Sequence, residues 1–219
     1  MNDTQSLCAK DRRCEFEKPK IVVCEGLEEE RFLPRLLSIC GELTLNEGIQ
    51  FVNCGGKWNL ENFLKGARDF TGFNQVKSIG IILDADSQPE GAQPTFEKAQ
   101  NALRSIQFPV PTQMGKPEVT IGKTAIIWVM PNNQDDGELE DLCLVALANH
   151  ALIPCVQQIE ECIARKTESP ARSAKSRLYT LLAWLDRPGR RLAEISDSEM
   201  RSWELNVFEP LITTFFSQL

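Results

Sequence analysis

Apolar residues fall along this chain in two alternating patterns. Short, nearly unbroken apolar runs are separated by longer stretches in which apolar residues recur every three or four positions. The short runs lie at 20–24 (KIVVC), 49–54 (IQFVNC), 78–84 (within KSIGIILDAD, 77–86) and 124–130 (TAIIWVM). Runs of this length, rich in β-branched residues, predict strands buried on both faces, as in parallel sheets. A further short strand at 119–121, turned back by Gly122-Lys123, predicts a hairpin with 124–130. The periodic stretches predict helices. One follows Glu28, Glu29 and Glu30, buries Phe32, Leu33, Leu36, Leu37 and Cys40, and carries Pro34 in its first turns. Others are expected at 59–68, 94–107, 138–149, 154–164, 171–185 and 208–217.

Strand and helix alternating in this way predict an α/β fold. The expected architecture is Rossmann-like: a four-stranded, mainly parallel sheet with helices on both faces and a C-terminal helical extension. Residues 1–18 read as a flexible leader, 19–150 as the α/β core, and 151–219 as a helical extension packed on that core, with one domain overall.

Composition narrows the function classes. No run approaches the ~20 apolar residues of a membrane helix, and the polar N-terminus lacks the apolar centre of a secretory signal. A cytoplasmic protein with no membrane partner is the expectation. The eight cysteines include no C-x-x-C pair and accompany a single histidine, His150, so a zinc site is not indicated and buried reduced thiols are expected. The net charge of −7 argues against a nucleic-acid coat protein. The charge is uneven, however: residues 165–191 carry eight basic residues against Glu168 and Asp186.

The acidic residues then draw attention by position. Glu25 follows the first strand, Asp84 and Asp86 close the third, and Glu138 and Glu140 lie just beyond the fourth. In a parallel sheet all of these fall at one edge, the edge where open α/β sheets bind ligands. Alternation along an extended chain points Asp84 and Asp86 the same way. Glu29, four residues after Glu25, can face the same place from the first helical turn. Carboxylates so gathered repel one another unless a proton or cation lies between them. Mg²⁺ or Mn²⁺ is the economical answer; solvated caps of the following loops are the plain alternative.

The pair IVVCEG and IILDAD resembles the toprim domain of topoisomerases, bacterial primases, recombination proteins and nucleases of the overcoming-lysogenization-defect type. VNCGGKWNL at 52–60, ILDAD at 82–86, MPNNQDDGELEDL at 130–142 and KSRLYTLLAW at 175–184 resemble more closely a small stand-alone toprim-like family of unassigned function, over roughly residues 19–217. The resemblance implies a toprim fold, with Glu25 as general acid/base or metal ligand and Asp84 and Asp86 as Mg²⁺ ligands. From the lysogenization-type nucleases it further implies metal ligation by Glu29 and Glu140 and a catalytic role for Lys175, with Glu138 and Asp141 as rivals to Glu140.

The implied function is a Mg²⁺-dependent nuclease, or related phosphodiester-transfer enzyme, acting on DNA or RNA. The alternative is a non-catalytic toprim-fold module that binds nucleic acid or protein in a defence complex. A separately encoded ATPase is a candidate partner for either. The lone tyrosine, Tyr179, sits in a helical pattern and argues against a topoisomerase; the lack of a zinc module argues against a primase. Haloacid-dehalogenase phosphatases and phospho-receiver domains place their acidic pairs on the first strand, unlike Asp84 and Asp86. Two further features stay open between a plain turn and a phosphate contact: Gly55-Gly56-Lys57, and the basic turn with Arg187, Arg190 and Arg191.

Overall fold

The computed structural model describes residues 15–86, 91–167, 173–185, 189 and 191–219. The leader up to residue 14, with Cys8 and Cys14, lies outside the described residues, as do Arg187 and Arg190. Five strands form one sheet: β1 (Lys20–Cys24), β2 (Ile49–Asn53), β3 (Ser78–Asp84), β4 (Glu118–Thr120) and β5 (Lys123–Met130), in the order β2-β1-β3-β5-β4. β1 pairs in parallel with β2 and β3, and β3 with β5; only β4 runs antiparallel, against β5. The architecture is thus mixed α/β with a mostly parallel sheet. It has five strands where the apolar runs predict four, the fifth being the short hairpin partner. That strand is exposed at Val119 and Thr120, so burial periodicity hardly marks it.

Side chains alternate across the sheet. Val22, Cys24, Ile82, Ile126, Trp128 and Met130 enter one core with α1 (Leu27–Ile39), α5 (Leu139–Ala146) and α7 (Ala174–Leu185). Ile21, Val23, Ile79, Ile81, Leu83, Ala125, Ile127 and Val129 enter the other, with α3 (Leu60–Ala67) and α4 (Ala92–Ser105). A short α2 (Leu43–Gly48) leads into β2, α6 (Ile153–Thr167) precedes α7, and α8 (Asp197–Met200) follows it. Arg35 in α1 anchors the C-terminal region by donating to Ala193 O (2.6 Å) and Ile195 O and by pairing with Asp197 (2.6 Å).

Three expectations need correction. Pro34 lies well inside α1 rather than in its first turns, where it forgoes one backbone hydrogen bond. The helix continues because Phe32, Leu33, Leu36 and Leu37 around it are fully buried. The helix expected at 208–217 is instead a succession of short turns: a 3₁₀ turn at Leu205–Phe208, a π turn at Leu211–Phe215 and a 3₁₀ turn at Phe216–Gln218. A regular helix would set Phe215 and Phe216 about 100° apart, yet both are buried. Phe215 meets Trp128 and Phe216 meets Phe51. Finally, the thiols are not all buried: Cys24, Cys54 and Cys143 are, whereas Cys155 and Cys162 are exposed; all the described cysteines are unpaired thiols. No helix among the described residues is long and apolar enough to cross a membrane.

Gly80, in the middle of β3, shows how tightly the C-terminal segment is seated. A Cβ there would stand 2.6 Å from Phe215 Cζ and 3.1 Å from a Leu219 methyl. Ser78 Oγ meanwhile donates to Leu219 O at 2.9 Å. Gly80→Val is therefore expected to destabilise the fold by about 1–3 kcal/mol through overpacking, and Phe215→Ala by about 3–5 kcal/mol through an emptied core. Urea unfolding measures both; unchanged midpoints would contradict this packing.

Candidate metal centre

The chain leaves β1 toward β2 on one side and leaves β3 toward β5 on the other. Its helices follow suit: α1 covers one face and α4 the opposite one. The carboxyl ends of β1 and β3 thus border a topological switch point, where open α/β sheets form a crevice. Glu25 and Glu29 approach it from the β1–α1 turn, Asp84 and Asp86 from β3, and Glu138 and Glu140 from the start of α5.

Each carboxylate is held by identifiable partners. Glu25 Oε2 accepts from the Asp84 N–H at 3.2 Å, which ties the first turn to the neighbouring strand end. Glu29, buried at the third position of α1, accepts from the Gly26 N–H at 2.9 Å, which ties the N-cap backbone to the first helical turn. Asp84, 7% exposed, accepts through Oδ1 from the Leu139 N–H at 3.0 Å, at the positive end of α5. Glu138 is the N-cap of that helix; its Oε1 accepts from the Lys175 N–H at 2.9 Å and joins α5 to the start of α7. Glu140, only 1% exposed, lies with Oε1 3.2 Å from Lys175 Nζ, while its Oε2 is buried and has no hydrogen-bond partner among the described residues. Asp141 accepts from the Glu138 N–H at 2.8 Å, a helix cap rather than a site group.

Asp84, Glu138 and Glu140 each offer a carboxylate oxygen within 4.8 Å of the other two. Asp86 is not brought into this trio. It adopts a left-handed backbone (φ 57°), its N–H donates to Gly137 O at 3.0 Å, and its side chain pairs with Lys57. The expectation that Asp84 and Asp86 point the same way fails here because the strand ends at Asp84, and with it the alternation.

Gly55 and Gly56 both have positive φ, which glycine alone adopts readily. In their turn the Gly56 N–H donates to Glu25 O at 2.8 Å, and the Lys57 side chain is 3% exposed. Arg191 is exposed, with Nη1 3.7 Å from Glu28. It lines a cleft of about 470 Å³ with Glu28, Tyr179 and Gly189, one turn beyond Lys175. Sequence patterns put Glu138 second to Glu140 and passed over Lys57 as a buried charge.

The electrostatics follow from crowding. Burial lifts the Asp84 carboxyl well above the usual carboxylate range, and the charges of Glu29, Glu25 and Glu140 lift it further. Burial likewise raises Glu25, Glu29 and Glu140, partly opposed at Glu25 by the Asp84 N–H and Lys57, and at Glu140 by Lys175. For Lys175, burial disfavours the charge, but Glu140, Glu138 and Asp84 outweigh it and hold the ammonium above its ordinary pKa. An all-oxygen donor set with one buried, unsatisfied oxygen fits a hard divalent cation such as Mg²⁺ or Mn²⁺, which Asp84, Glu138 and Glu140 would hold.

These raised carboxyls bind protons more tightly folded than unfolded. Stability they would otherwise leave intact is lost as pH rises from the unfolded carboxylate pKa of about 4 through the raised folded values. Asp84→Asn removes the central charge while keeping an acceptor for the Leu139 N–H. Without divalent metal, the variant is therefore expected to melt higher than the wild type, by a margin that widens from about pH 4 to neutrality, at about 2–4 °C per kcal/mol. Scanning calorimetry across that range checks it; a margin that shrinks with rising pH would contradict the crowding.

A search of the curated proteins finds no match. Among solved structures, the chain is similar to the C-terminal region of the Xanthomonas campestris pv. campestris OLD protein. Identity is 16%, with a TM-score of 0.43, covering 90% of this chain and 97% of that one. It is also similar to the C-terminal region of the Burkholderia pseudomallei OLD protein, at 17% identity and a TM-score of 0.38, over 93% of this chain and 86% of that one. A family model described as a protein of unknown function, DUF3226, matches residues 19–219, and the chain belongs to that family.

Proposed function

We propose that the protein is a divalent-metal-dependent nuclease, or related phosphodiester-transfer enzyme, of toprim type that acts on nucleic acid. The observation that carries this reading is the buried trio of Asp84, Glu138 and Glu140, with Glu140 Oε2 lacking a partner among the described residues. The order of Glu25 and Asp84 on neighbouring parallel strands supports it, since that is the toprim arrangement the sequence resembles.

A divalent ion bound by the trio supplies charge neutralisation at a phosphoryl oxygen and activation of water. The chain's own groups divide the remaining work. Glu25 is half-buried, steadied by the Asp84 N–H, and shifted toward neutral pH by burial; this suits a group that accepts a proton from the attacking water. Lys175 stays protonated and half-exposed beside Glu140, where it can stabilise charge on the phosphate. Glu29 holds the start of α1 and adds negative charge near Asp84. Arg191, at the rim of the neighbouring cleft, is placed to meet a nucleic-acid backbone. DNA and RNA both fit this chemistry, and a separately encoded ATPase remains a candidate partner.

The test is cleavage of plasmid, linear duplex, single-stranded DNA and RNA with Mg²⁺ or Mn²⁺, alone and with partner proteins. Activity is expected to vanish with EDTA. Glu25→Gln should lower it about 10²–10⁴-fold with the fold intact, and Lys175→Ala by about 10²-fold. Cleavage that survives both Glu25→Gln and Asp84→Asn would place the activity elsewhere. Metal binding without cleavage of any substrate would favour a non-catalytic binding module.

A further inference from the structure

Lys57 is the unexpected charge at this edge. The turn that carries it is built to send it inward. β2 runs on beside β1 beyond its last ladder pair, with the Cys54 N–H donating to Cys24 O at 3.0 Å and the Gly56 N–H to Glu25 O at 2.8 Å. Asn59 closes the turn, its side chain donating to Cys54 O at 2.6 Å and its N–H to Gly56 O at 2.9 Å. With the backbone held against the Glu25 turn, the Lys57 side chain enters the protein and is 3% exposed. Its ammonium pairs with Asp86, which hangs from a left-handed residue pinned to Gly137. It also lies close enough to Glu25 to favour that group's charged form. A buried ammonium is costly unless paired, so its position is set by the carboxylates it serves.

Two cationic positions can be distinguished at the edge. One lies among Asp84, Glu138 and Glu140, whose oxygens converge within 4.8 Å. The other lies at Asp86, on the same edge as Glu25, and Lys57 already stands there, paired with Asp86. We propose that Lys57 is a built-in counter-cation that takes the place of a second metal ion, so that the edge holds a single divalent ion at Asp84, Glu138 and Glu140. This rests on the metal-dependent reading above and restricts it to one ion. Lys57 is thereby a positioning residue: it fixes Asp86 away from the trio and balances Glu25 without occupying a coordination position.

Mn²⁺ titration by calorimetry, with bound ion counted by electron paramagnetic resonance, tests this on the full chain. The wild type is expected to bind one Mn²⁺. Lys57→Met, which keeps length and removes charge, is expected to bind two, and Lys57→Arg one. Two ions in the wild type, or one ion in a folded Lys57→Met protein, would overturn the role of Lys57 while leaving a metal site in place. No ion in the wild type would remove the metal reading, and this inference with it. If circular dichroism shows that Lys57→Met fails to fold, Asp86→Asn decides. One ion with affinity within about threefold of wild type supports the assignment. Weakening beyond the about 10–100-fold typical of outer-shell partners would make Asp86 a ligand and overturn it.

Discussion

The parallel pairing of β1 with β3 is the constraint from which the acidic edge follows. Their register sets Cys24 beside Ile82, so β1 ends two residues before β3 does. Glu25, the next residue, can then reach across to the Asp84 N–H. The two apolar faces behind this pair are almost fully buried, which leaves the strand ends no freedom to separate. Because α1 departs over one face and α4 over the other, the ends of β1 and β3 border a crevice. Helix α5 closes it from the side, its first N–H on Asp84 and its cap residue Glu138 beside the same group.

This arrangement keeps like charges together at a cost. Asp84 sits among Glu29, Glu25 and Glu140, all of them raised toward their neutral forms by burial and, at Asp84, by mutual repulsion. Relief comes from two lysines with different placements. Lys175 enters from α7 and remains half-exposed on Glu138 and Glu140; Lys57 is sealed in beneath a glycine turn with Asp86. The large apolar cores on either side of the sheet supply the stability that lets the edge remain so crowded.

Much of this was legible in the sequence because it depends on local pattern. The runs KIVVC, IQFVNC, SIGIILD and TAIIWVM mark the four parallel strands, and the acidic residues that follow three of them fall at one edge by topology alone. What escaped depends on contacts distant in the chain or on single backbone torsions. Asp86 turns away because its φ is positive, which no side-chain pattern announces. Lys57 looks like an ordinary turn lysine until the Gly56–Glu25 hydrogen bond aims it inward. Phe215 and Phe216 break helical periodicity because Trp128 and Phe51 receive them from different strands. The acidic residues of the edge were therefore visible, while the choice of which carboxylates converge was decided by tertiary structure.

The claim that these carboxylates form a cation site is tested most directly by locating the ion. Crystals grown or soaked with Mn²⁺ would be measured for anomalous scattering near the manganese edge. The account predicts a peak among Asp84, Glu138 and Glu140, within about 2.5 Å of their oxygens, with Lys57 still on Asp86. No peak at these residues in excess Mn²⁺, or a peak seated between Glu25 and Asp86 instead, would contradict it.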